Sequence, residues 1–225
     1  MSRGNGHDHE ARFEGARCAM VTEQIARRGV RDPSVLRAMS RVPRERFVPP
    51  ESAEFAYDDR PLPIGCGQTI SQPYVVALMT KALRLGPDDR VLEIGTGSGY
   101  AAAVLAECAR EVYTIERHEG LAEVARARLA ELGYTNVQVR VGDGTLGWPE
   151  AAPFDAIVAT AGGPVVPRAL KCQLAVGGRL VIPVGALKNA QTLVRVVRTF
   201  ADRFDQDDLG GVAFVPLIGA QGWQA

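Results

Sequence analysis

Residues 91–100 read VLEIGTGSGY, and the fold turns on that stretch. Val91, Leu92 and Ile94 suit a buried strand, Gly95-Thr96-Gly97-Ser98-Gly99 suits a turn, and the Ala-rich run from Ala101 suits a helix. Strand, glycine turn and helix in that order put a nucleotide-like ligand at the C-terminal edge of a sheet. Glycines allow it because the backbone can approach a ligand without a Cβ in the way. A dinucleotide site wants G-x-G-x-x-G or G-x-G-x-x-A. Started at Gly95, the third position falls on Tyr100 and the match fails; started at Gly97, it runs Gly97, Gly99, Ala102 and passes. Glu116 lies about twenty residues on, at the end of EVYTIE, where a carboxylate can accept hydrogen bonds from ribose hydroxyls. Spacing alone leaves a dinucleotide and another nucleoside ligand both open.

The next segment tilts the choice. Leu121, Val124, Ala125, Arg128, Leu129 and Leu132 fall at helical spacing, and Gly133 supplies a stop. Val137, Val139 and Val141 then alternate with Gln138 and Arg140 as in a strand, which Gly142-Asp143-Gly144 closes. An Asp between glycines is ordinary turn chemistry. As the third strand end in a series, after Gly95 and Glu116, Asp143 also lies where it can accept a hydrogen bond from an exocyclic amine.

The pattern over residues 91–184 resembles the S-adenosylmethionine-dependent methyltransferases of the Rossmann-like class. The likeness implies an α/β fold: a mostly parallel sheet with helices on both faces and an antiparallel C-terminal edge. It implies S-adenosyl-L-methionine as cofactor. Gly95, Thr96, Gly97, Ser98 and Gly99 would line its methionine portion, Glu116 would hold its ribose and Asp143 would face its adenine, with Arg117, Gly142 and Gly144 also among the cofactor-binding residues. Glu93 would be the acidic position of the first motif.

Upstream, residues 58–73 read DDRPLPIGCGQTISQP, dense in Pro and Gly and without periodicity, hence an ordered loop. A helix should follow with Val75, Val76, Met79, Ala82 and Leu83 on one face, ending at Gly86-Pro87. Pro73 suits its first turn, and Ser71 sits where an N-cap would be. Spacing therefore gives Ser71 a purely structural reading as a helix cap.

The loop PLPIGCGQTISQP, together with VPRERFVP, GDG, APFDAIVATA, GGRLVIPVG and the closing FVPL, is similar to the protein-L-isoaspartate O-methyltransferase family from about Phe13 to near the C-terminus. The resemblance implies transfer of a methyl group to the α-carboxylate of isoaspartyl residues in damaged proteins and peptides. It makes Ser71 the active-site serine, with Thr69 and Ile70 helping to line the cofactor and substrate pocket. Ile64, Val212 and Phe214 become candidates for the substrate surface, although Val212 and Phe214 read equally well as core side chains of a strand. Cys66 receives no role.

Composition is compatible with this reading. Lys plus Arg and Asp plus Glu number 26 each, so there is no basic excess to suggest nucleic-acid binding. Four cysteines, Cys18, Cys66, Cys108 and Cys172, show no metal-like spacing, and Cys108 on an apolar helical face reads as a buried free thiol. No metal site is expected. With neither a signal-peptide core nor a run of membrane-span length, the expectation is a cytoplasmic monomer without membrane association. Residues 1–12 read as a loose tail and 13–225 as one methyltransferase domain: a helical part with the substrate loop (13–90), the cofactor core (91–185) and C-terminal strands (186–225). Within it, a helix should run from Phe13 to about Arg28, ended by Gly29, and another should start at Asp32-Pro33. The last two strands are expected at TLVRVVRTF (192–200) and GVAFVPLIG (211–219), joined by the acidic DRFDQDDLGG.

Overall fold

The structure, a computed structural model, describes residues 4–188 and 190–224. Helix α1 (Gly4–Ala19) passes through a π turn and a 3-10 turn before Gly29 ends it at φ 92°. Helix α2 (Pro33–Arg41) starts as expected at Asp32-Pro33: the Asp32 carboxylate accepts from the backbone N–H groups of Ser34 (2.9 Å) and Val35 (3.2 Å). A short antiparallel hairpin follows, β1 (Leu62–Gly65) and β2 (Gln68–Ile70), and leads into α3 (Pro73–Leu83).

From here strands and helices alternate. They run β3 (Arg90–Ile94), α4 (Tyr100–Ala106), β4 (Glu111–Glu116), α5 (Glu119–Glu131), β5 (Val137–Val141), β6 (Phe154–Ala159), α6 (Arg168–Cys172) and β7 (Leu174–Leu187). Strands β8 (Ala190–Phe200) and β9 (Arg203–Val212) complete a seven-stranded sheet, whose order is β5-β4-β3-β6-β7-β8-β9. The first five are parallel; β7–β8 and β8–β9 are antiparallel, the C-terminal edge that the resemblance implied.

Both faces of the sheet are covered, which is why its central strands read as continuous apolar runs. Val91, Val112, Val158 and Val181 pack toward the N-terminal helices with α3 and α4. Leu92, Ile94, Ile115, Ile157, Leu180 and Ile182 pack on the opposite side with Leu170 of α6 and Leu217. The chain order reverses between β3 and β6, so the carboxyl ends of those strands flank the crevice in which an open α/β sheet takes its ligand.

Three expectations are corrected. The segment read as a loose tail carries helical backbone from Gly4 onward, while residues 1–3 lie outside the described residues. Extending a helix already anchored by packed residues is far easier than starting one. Val124, placed on the buried face of its helix, is 50 % exposed, because α5 covers the sheet with Leu121, Ala122, Ala125 and Leu129 instead.

The third correction concerns the C-terminal strands. The acidic stretch expected as a connector is itself β9, and only Ala201 and Asp202 join it to β8. A two-residue hairpin aligns its strands at once, and carboxylates suit an exposed sheet edge; Asp207, for instance, faces Arg195 across the ladder. The stretch 211–219 is mostly not strand. Instead Gly162 donates to the Val215 carbonyl (2.8 Å), and its own carbonyl accepts from Leu217 (2.8 Å), which ties that stretch to the loop after β6.

Candidate active site

Four parallel strands end on one edge of the sheet, and their last residues build the first wall of the site. After β3 the backbone N–H groups of Gly95 and Thr96 both turn to the Ile115 carbonyl (2.8 and 3.3 Å). Gly95 adopts φ +98°, and a Cβ there would lie 2.5 Å from the Thr160 hydroxyl oxygen. Only glycine fits that conformation beside that neighbour. Glu116, buried at the end of β4, accepts from the N–H of Gly97 (2.8 Å) on one oxygen and of His118 (3.0 Å) on the other. The carboxylate thus holds the glycine loop against its strand and keeps further lone pairs for hydroxyl donors.

Beneath the loop, Glu93 is completely buried. One of its oxygens accepts from the Thr114 hydroxyl (2.6 Å), which is 2.7 Å from that of Thr96, while Oε1 has no partner. Burial, aided by the nearby Glu116 charge, pushes its pKa up to about 8, against the opposing pull of the Thr114 hydrogen bond.

At the end of β5, Asp143 differs from expectation. Its carboxylate is taken up by the Thr145 N–H (2.8 Å) and hydroxyl (2.6 Å) and by the Ala220 N–H (2.7 Å). Burial works to raise its pKa, but these hydrogen bonds and the nearby Arg117 outweigh it and hold the carboxyl below the usual range. Asp143 faces the C-terminal turn, and its neighbour Gly144 lines the pocket instead. Gly142 is used internally, donating to the Glu116 carbonyl at 2.9 Å.

The resulting pocket is bounded by Gly95, Gly97, Glu116, Arg117 and Gly144, with the apolar side chains of Ile94, Ile115, Leu217 and Ile218. An apolar pocket beside a carboxylate and an open glycine turn fits a nucleoside with vicinal hydroxyls.

A second, wider cleft runs alongside, between α3, the β7–β8 turn and residues 211–216. Thr69 and Thr160 line both spaces, whereas Ser71 lines the cleft and the small gap under the glycine loop that Ile70, Thr96 and Ser98 also border. The cap reading of Ser71 does not hold: the residue before α3 is Gln72, and no side chain caps that end. Pro73 already removes one of the N–H groups that a cap would have satisfied. The half-buried Ser71 hydroxyl has no hydrogen-bond partner among the described residues and borders the cleft.

Val212 and Phe214 line the cleft. Ile64 does not; its Cδ1 lies 3.2 Å from where a Gly97 Cβ would stand, so it leans on the glycine loop. Several wall residues were missed by reading the sequence. Thr160 follows β6 at the same sheet edge, so counting a fourth strand end would have found it. Gln191 carried no local signal, and residues 215–218, although FVPL was legible as a motif, gave no sign that they wall the site, since they reach it only through the C-terminal fold-back. Among the described residues, no cluster of three or more His, Cys, Asp or Glu is arranged to hold a metal ion.

Residues 16–222 match the family profile described as protein-L-isoaspartate(D-aspartate) O-methyltransferase. Protein-L-isoaspartate O-methyltransferase 2 of Pelobacter propionicus is 62% identical over 204 residues, covering 91% of each chain. A solved protein-L-isoaspartate O-methyltransferase superposes with a TM-score of 0.82 at 29% identity, over 92% of this chain and 67% of that one. A Plasmodium falciparum beta-aspartate methyltransferase, solved in complex with S-adenosyl-L-homocysteine, gives 0.77 at 26% identity, over 92% of this chain and 98% of that one.

Proposed function

Starting from the fact that this chain belongs to the protein-L-isoaspartate(D-aspartate) O-methyltransferase family, we propose which of its residues carry the reaction. The activity itself is transfer of a methyl group from S-adenosyl-L-methionine to the α-carboxylate of L-isoaspartyl residues in damaged proteins and peptides. That cofactor supplies an activated sulfonium methyl whose leaving group is a neutral thioether.

The glycine turn 95–99 and the slot of Ile94, Ile115 and Leu217 hold the cofactor, with Glu116 and Arg117 beside its ribose and Gly144 beside its base. Glu93 supports the turn from below, and Asp143 fixes the C-terminal turn that carries Ile218. The acceptor carboxylate, with an ordinary pKa of about 3.5, is already ionised at neutral pH and needs no general base. Ser71 donates a hydrogen bond to it and so orients it, with Thr69 and Ile70 shaping the passage between the two spaces. Val212 and Phe214 line the acceptor side. Transfer then rests on positioning, an effect worth up to about 7–11 kcal/mol in favourable systems.

One observation carries this assignment: Thr69 and Thr160 line both the nucleoside pocket and the open cleft, so donor and acceptor spaces share a wall. The test incubates the protein with labelled S-adenosylmethionine and paired peptides differing only in aspartyl or isoaspartyl linkage. Base-labile label is expected in the isoaspartyl peptide alone; equal labelling of both, or of neither, overturns the reading.

The balanced charge supports a protein acceptor over nucleic acid, and no described helix is long and apolar enough to cross a membrane. We take the enzyme to be a cytoplasmic monomer; four free thiols support a reducing compartment, and sedimentation tests the monomer.

A further inference from the structure

We propose that Gln191 is a positioning residue for the acceptor: it sets the wall of the cleft on which the isoaspartyl chain lies. The proposal rests on the cleft being the acceptor site, as read above. Gln191 is 5 % exposed, near the start of β8, where its backbone pairs with Val212. Its side-chain carbonyl accepts from the Phe214 N–H at 2.8 Å. Its amide donates to the carbonyls of Lys188 (2.7 Å), Phe214 (3.4 Å) and Leu187 (3.5 Å).

One buried amide therefore clasps two segments that belong to no common strand pair: the β7–β8 turn and the chain beyond β9. Both line the cleft, and Val215 and Pro216 of the second segment continue into the cofactor pocket. Gly162 backs the clasp, because a Cβ there would fall 2.8 Å from Gln191 Cδ and 3.0 Å from its Cγ. The same glycine holds Val215 and Leu217 by backbone hydrogen bonds of 2.8 Å each. Wall position is thus set from two sides, by Gln191 at Phe214 and by Gly162 at Val215. A side chain kept only to fill the core would be replaceable by an apolar one of the same length; an amide satisfied at both ends is replaceable only at the cost of those hydrogen bonds.

The test compares Gln191→Met, similar in length but unable to make these bonds, with Gly162→Ala, which keeps the amide but presses on it. Each is assayed for kcat and KM on an isoaspartyl peptide and for S-adenosylhomocysteine Kd by calorimetry. Expected is a KM raised about tenfold or more in both, with Kd changed less than about twofold. Faster amide exchange over residues 212–215 should accompany it. A wild-type KM in either folded variant overturns the proposal. So does a rise of Kd in parallel with KM, which would make Gln191 a general support of the fold. Should Gln191→Met fail to fold, Gly162→Ala decides alone. An unmutated enzyme that labels aspartyl and isoaspartyl peptides equally would instead sink the acceptor reading, which is a separate outcome.

Discussion

At Ser71 the structure and the local sequence signal disagree, and the disagreement bears on mechanism. Spacing makes Ser71 a helix cap; the chain starts α3 one residue later, behind Gln72 and with Pro73 in the first turn. Ser71→Ala is therefore expected to leave the melting temperature unchanged, where loss of a real cap would cost about 1 kcal/mol. Turnover on an isoaspartyl peptide should fall about ten- to a hundredfold, with S-adenosylhomocysteine still bound. Calorimetry beside initial rates checks both halves, and wild-type turnover would return Ser71 to a structural role. Gly95→Ala should behave in the opposite way. A Cβ 2.5 Å from the Thr160 hydroxyl oxygen, at φ +98°, forces the loop to shift. Stability should drop by about 1–3 kcal/mol, with cofactor affinity falling alongside it.

Among the elements, legibility followed the range of the interaction that forms each one. Helix α2 was readable because Asp32 caps it from within the same turn. Asp32→Ala should lower unfolding free energy by about 1 kcal/mol in urea titrations, with catalysis untouched. Strands β3, β4 and β6 were readable because burial on two faces demands an unbroken apolar run. Strand β9 was not. Its Asp205, Asp207 and Asp208 resemble a loop, and only the two-residue turn at Ala201 and Asp202 commits them to the sheet edge. Since the Arg195–Asp207 pair is largely solvent-facing on the acidic side, Asp207→Ala should cost less than about 1 kcal/mol. A larger loss in thermal melts would mean that β9 depends on that pair.

Across the whole molecule, the buried Glu93 ties stability to pH. Its folded pKa is raised, from 4.5 to about 8, so the folded state holds a proton that the unfolded chain has released across that window. This contribution to stability is full below pH 4.5 and is lost as pH rises through about 8. Glu93→Gln should flatten that decline, giving urea midpoints closer together at about pH 5 and about pH 8 than in the unmodified enzyme. An unchanged slope would show that Glu93 is ionised throughout. The glycine turn, Glu116 and the order of strand and helix were all present in the sequence, because each is fixed by backbone conformation and periodicity within a few residues. They pointed to a nucleotide-like ligand at a sheet edge and left a dinucleotide and another nucleoside ligand both open. The sequence did not decide which side chains face one another across the site. Asp143 turns to Ala220, Ile64 leans on Gly97, and Gln191 meets Phe214, pairs separated by 77, 33 and 23 positions along the chain. Contacts at such separations exist only once the sheet has brought its ends together, and no local propensity encodes them.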